Sequence, residues 1–116
     1  MADLGASPGP ARTGLAVSEA DDILAELEAV LRSRAQAAPE DSYSARLVRD
    51  PERVARKVVE EAYELAVELQ RPGIDRGRVV SESADLLFHV LAALVGADVS
   101  LEDVLVELTR RRGSSR

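Results

Sequence analysis

A chain of 116 residues with 46% hydrophobic and 31% charged side chains has enough apolar material for one core and too little length for two. Its formal net charge of −6 argues against a nucleic-acid surface, which is held mainly by clustered Lys and Arg. The lack of cysteine excludes disulfides, thiolate metal sites and a cysteine nucleophile together.

Residues 1–17, rich in Gly, Ala, Pro and Ser without a sustained period, read as a flexible N-terminal tail ahead of a domain spanning 18–113; 114–116 form a short C-terminal tail. At Ser18 the pattern changes to a Ser cap, acids in the first turn, and Ile23, Leu24, Leu27, Val30 and Leu31 at helical spacing. The segment 37–51 contains Pro39 and several hydroxyl residues and reads as a loop with a short helical turn. Asp50 then caps a second helix, with Pro51 in its first turn and Pro72–Gly73 ending it after Arg71. A third helix is expected from Asp75 to Val95, with Val79, Val80, Ser83, Leu86, Leu87, Val90, Leu91 and Leu94 on one broad face and Gly96 as its stop signal. Ser100, followed by Asp103, resembles a capping box opening a fourth helix that runs to Arg111. There is no internal repeat, and four helices with short connections predict an all-α bundle. The apolar run at 86–95 is interrupted by His89 and falls short of the roughly 20 residues of a membrane helix; the N-terminus lacks a signal-peptide pattern. The expectation is a cytoplasmic protein with no membrane partner.

The chemistry concentrates in the second and third helices. Turning each residue by about 100° places Val54, Ala55, Val58, Ala62, Leu65, Ala66 and Leu69 on one side of the second helix, with Lys57, Glu61, Glu64 and Glu68 as a stripe along its edge. Glu60 projects nearly opposite the core. On the third helix, Glu82, Asp85 and His89 share a face beside the apolar stripe. If the PGID turn makes the two helices antiparallel, Glu61 and Glu64 face Glu82 and Asp85 across one seam. Four converging carboxylates need compensation, and an all-oxygen set suits Mg²⁺ or Mn²⁺ shared with substrate phosphates. The competing reading is a solvated acidic surface, in which Lys57 and Glu61 form an i,i+4 pair.

The segments EEAYE at 60–64 and ESAD at 82–85 resemble the acidic motifs of the all-α, MazG-like nucleoside triphosphate pyrophosphatases. Together with DSYSARL at 41–47, KVVEEAYE at 57–64, ESADLLFH at 82–89 and SLEDVLVEL at 100–108, they resemble phosphoribosyl-ATP pyrophosphohydrolase of histidine biosynthesis over residues 20–113. The resemblance implies hydrolysis of phosphoribosyl-ATP to phosphoribosyl-AMP and pyrophosphate, the second step of that pathway, by a homodimer of helical bundles using Mg²⁺. It implies Glu61, Glu64, Glu82 and Asp85 as metal ligands and Glu60 as the further acid of the motif. Arg46, Lys57 and His89 are then substrate contacts, against the plainer reading of two surface ion pairs and a structural histidine. Phe88 stands where the family commonly has Tyr. A house-cleaning nucleotide pyrophosphatase of the same superfamily is the alternative.

Overall fold

The computed structural model describes residues 17–38, 40 and 42–113, with side chains from Ile23 onward. Both expected tails therefore lie outside the described residues, apart from Val17. The described residues form five helices: α1 (Val17–Ala35), α2 (Tyr43–Val48), α3 (Pro51–Leu69), α4 (Arg76–Gly96) and α5 (Leu101–Arg112). The short helical turn expected in the second connection is the six-residue α2. The protein is all-α.

Caps set most of the boundaries. Ser42 accepts from the Ala45 amide at 3.0 Å to open α2, and Asp50 accepts from Arg53 at 3.1 Å to open α3, where Pro51 sits in the first turn. Asp75 accepts from the Arg78 amide for α4, and Ser100 from the Asp103 amide for α5. α1 begins at Val17, one residue ahead of the expected Ser18 cap.

The stop of α4 differs from the expectation. Gly96 is still helical; the chain leaves the helix through Asp98, whose φ of 58° is left-handed. The Asp98 amide donates to the Val95 carbonyl and the Val99 amide to the Leu94 carbonyl, a Schellman closure with Asp in the place glycine usually takes. Gly96 has a different purpose: a Cβ there would stand 2.8 Å from the Val48 carbonyl oxygen, so its small size lets α4 cross the end of α2.

Leu31, Leu47, Val48, Val54, Leu91, Ala92 and Val95 form the core, with Leu24, Leu27 and Leu101 packed against it. α3 and α4, joined by the short connection 70–75, form an antiparallel pair; α2 packs against both, and α1 packs against α4 and α2. The inward face of α3 is rotated from the expected one: Val54, Glu61 and Glu68, seven residues apart, are buried, whereas Ala55, Ala62 and Leu69 are exposed. On α4 the buried line is His89, Leu91, Ala92 and Val95, leaving Val80 and Leu87 outside. α5 has no buried residue; its first amide, Leu101, donates to the Glu28 carboxylate at 2.8 Å, and Leu105 and Leu108 face outward.

α4 as a whole is long and apolar enough by composition to cross a membrane, although its most apolar run is not. The core helix of a bundle meets the same test, and here the face of α4 bearing Glu82 and His89 is packed among other helices.

Candidate active site

α3 and α4 bring together three of the expected carboxylates. One ligand oxygen each from Glu61, Glu64 and Glu82 lies within 4.8 Å of the other two. Glu61 is buried, with 7% of its surface exposed, because it sits on the inward line of α3 between Val54 and Glu68. Glu61 Oε1 and Glu82 Oε1 are both buried without a hydrogen-bond partner among the described residues. Buried acceptors of this kind are costly unless a cation or a donor answers them.

Burial pushes the Glu82 carboxyl above its ordinary range, reinforced by the close Glu64 carboxylate and by the charges of Glu61 and Asp85. The cation that pairs directly with the cluster is insufficient. Lys57 Nζ lies 3.7 Å from Glu61 Oε2, but it is shared with the exposed Glu60 at 3.6 Å and leaves Glu61 Oε1 unanswered. Hard oxygen donors, two of them unpartnered, on two rigid helices fit a divalent cation of the Mg²⁺ type.

The remaining expected residues take distinct places. Asp85 is exposed and outside the three-carboxylate cluster, although its charge reaches Glu82. His89 is buried, and its Nδ1 lies 2.8 Å from the Asp85 backbone carbonyl. Because a carbonyl can only accept, Nδ1 carries the proton, and in the neutral ring Nε2 accepts from the Tyr43 hydroxyl at 3.4 Å. Phe88 meets the imidazole edge-on, with centroids 5.1 Å apart. His89 thus ties α2 to the turn of α4 that carries Asp85. Arg46 is exposed on α2, and Glu60 is exposed on α3.

Sequence reasoning missed a second polar group beside the carboxylates. Glu68, only 3% exposed, accepts from Arg71 Nε through Oε1 and from Arg78 Nε through Oε2, both at 3.0 Å. The hydrogen bond from Arg78, assisted by Arg71, holds the Glu68 carboxyl below the usual range in spite of burial. A cleft of about 390 Å³ is lined by Tyr63, Glu64, Glu68, Arg71, Arg78 and Glu82, so the carboxylates and the guanidiniums border one space. The i,i+3 spacing of Glu68 and Arg71 was visible in the sequence; the partnership with Arg78, on the next helix, was not.

The family described as phosphoribosyl-ATP pyrophosphohydrolase matches residues 24–112. A phosphoribosyl-ATP pyrophosphatase of Methylobacterium nodulans is 45% identical over 93 residues, covering 79% of this chain and 85% of the relative. Those of Dinoroseobacter shibae and Rhizobium meliloti are each 44% identical, covering 80% and 82% of this chain and 90% and 88% of their own lengths.

Proposed function

This chain belongs to the phosphoribosyl-ATP pyrophosphohydrolase family, and we propose how its carboxylate seam performs the reaction. The protein is a hydrolase that cleaves phosphoribosyl-ATP in histidine biosynthesis. Water supplies the oxygen that joins phosphorus as the α–β phosphoanhydride opens, giving phosphoribosyl-AMP and pyrophosphate.

The observation that carries the reading is the cluster of three carboxylates with two buried, unpartnered oxygens. Glu61, Glu64 and Glu82 would hold Mg²⁺, or Mn²⁺ in its place, with Asp85 joining from the next turn of α4. When bound, the ion supplies positive charge against the triphosphate and lowers the cost of activating water. The protein's own part is positioning, which carries most of the catalysis in phosphoryl transfer. Rigid α3 and α4 fix the carboxylates. Lys57 orders Glu60 and Glu61, and His89 fixes the Asp85 turn through its backbone carbonyl. Arg46, exposed on α2, is available to the substrate, whereas His89, its two ring nitrogens taken by Asp85 and Tyr43, would meet the substrate by giving up the Tyr43 hydroxyl.

The acting species is a homodimer in this reading. Val59 and Val80 are each 67% exposed, and Leu69, Leu87, Leu105 and Leu108 are also outward-facing, which is more apolar surface than a lone small bundle ordinarily leaves in water. A cytoplasmic location belongs to the same reading, supported by a phosphorylated metabolite as substrate and a chain without cysteine.

The deciding experiment measures pyrophosphate release from phosphoribosyl-ATP with Mg²⁺, beside canonical and deoxynucleoside triphosphates and an EDTA control. Preferential, EDTA-sensitive cleavage of phosphoribosyl-ATP is expected. Preference for the free triphosphates would move the protein to the house-cleaning branch, and EDTA-resistant cleavage would refute the metal site.

A further inference from the structure

We propose that Arg71 and Arg78, clamped by the buried carboxylate of Glu68, form the anion subsite that receives the terminal phosphates of the substrate, the pair that departs as pyrophosphate. The inference rests on the hydrolytic reading above and deepens it by assigning the cationic side of the same cleft.

The first argument is charge. Glu68, almost wholly buried, holds two guanidiniums side by side at this end of the cleft, and the further acid there is the exposed Asp75, whose charge also reaches Arg78. At the other end Glu64 and Glu82 of the carboxylate cluster line the cleft, and Glu82 is close enough that its charge acts on Arg78. A triphosphate laid between them meets a divalent cation at one end and guanidiniums at the other. Without the arginines, the carboxylates would repel the part of the chain that the ion does not neutralise.

The second argument is geometry. Each guanidinium is anchored through Nε alone, Arg71 to one oxygen of Glu68 and Arg78 to the other, which leaves the terminal nitrogens for another acceptor. Both side chains remain about half exposed, at 51% and 59%, while the carboxylate that fixes them is almost wholly buried. A guanidinium held at Nε presents its outer N–H pair in the fork that matches a phosphate. Glu64 and Glu68 on α3, and Arg78 and Glu82 on α4, are both i,i+4 pairs. Glu68 and Arg78 therefore stand about one helical turn along the seam from Glu64 and Glu82, and Arg71, just past the end of α3, reaches back to Glu68. That offset suits successive phosphates of one chain. Lys57, by contrast, is already engaged by Glu60 and Glu61.

The test compares Arg71→Gln and Arg78→Gln with the wild type in three readouts: KM for phosphoribosyl-ATP, binding of inorganic pyrophosphate by calorimetry at fixed free Mg²⁺, and Mn²⁺ binding by electron paramagnetic resonance. The expected result is a rise of about ten-fold or more in both KM and the pyrophosphate dissociation constant, with Mn²⁺ affinity essentially unchanged. Should a Gln variant fail to fold with Glu68 left short of a partner, Arg71→Lys and Arg78→Lys keep that charge but lose the fork, and weakened pyrophosphate binding is expected from them too. Folded variants that bind pyrophosphate as the wild type does overturn the proposal, even where the enzyme hydrolyses phosphoribosyl-ATP. Failure of the wild type to cleave phosphoribosyl-ATP would instead remove the reading beneath it, and the pyrophosphate titrations would still decide whether the arginines bind the anion.

Discussion

Replacing Gly96 by Ala sets two terms of opposite sign against each other. Gly96 is the last residue of α4, and alanine in a helix is favoured over glycine by about 1 kcal/mol. Against this, the new methyl would lie 2.8 Å from the Val48 carbonyl oxygen, where ordinary van der Waals contact begins at 3.4 Å. The obstacle is backbone at the end of α2, so no rotamer change relieves it. α2 would have to shift as a unit, and Ala45, Leu47 and Val48 are all buried in the core. Forced repacking of that kind costs about 1–3 kcal/mol. The difference favours overlap, so Gly96→Ala should destabilise by about 1 kcal/mol, lowering the melting temperature by about 4 °C for a chain of this size. Thermal and urea unfolding followed by far-UV circular dichroism, at one fixed protein concentration, measures it. A variant more stable than the wild type by about 1 kcal/mol would refute the reasoning, because it would show the propensity gain uncancelled and α2 free to slide.

Three other outcomes are expected. Glu61→Gln should abolish Mg²⁺-dependent turnover and the stabilisation that Mg²⁺ gives on heating, while helical content stays intact; wild-type rates would take Glu61 out of the site. Glu68→Gln should be less stable than the wild type near neutrality. Because the arginines depress the Glu68 carboxyl, its stabilisation is full above the ordinary glutamate range, about pH 4.3, and is lost as pH falls through the depressed value, so the gap should close in acid. A gap that persists unchanged at low pH would contradict that account. Sedimentation at micromolar concentration should give twice the chain mass, and a monomer would overturn the homodimer.

Helices with a polar cap were legible in the sequence because the signal is local: Asp50, Asp75 and Ser100 each accept an amide three residues on. Of the four carboxylates that spacing and an antiparallel turn were expected to bring together, Glu61, Glu64 and Glu82 converge, while Asp85 stays exposed outside the cluster. What escaped was set by neighbours distant in sequence. Helical projection put Ala55, Ala62 and Leu69 inward beside Val54, whereas the inward line of α3 is Val54–Glu61–Glu68, because the burial of Glu68 depends on Arg78 from the next helix. Gly96 has the composition of a helix stop, but its reason is the approach of α2, and the true exit falls on Asp98, whose short side chain tolerates the left-handed region.

The attachment of α5 carries a dynamic consequence. A helix with no buried residue, tied to the body through Leu101 and one carboxylate of α1, has little to lose by detaching, so it should open without the rest of the fold. In amide hydrogen exchange its N–H groups would report a local free energy well below the global one, while those of α3 and α4 exchange only with complete unfolding. If a second copy covers Leu105 and Leu108, α5 protection rises on concentrating the protein, and the helix becomes a gauge of association in solution.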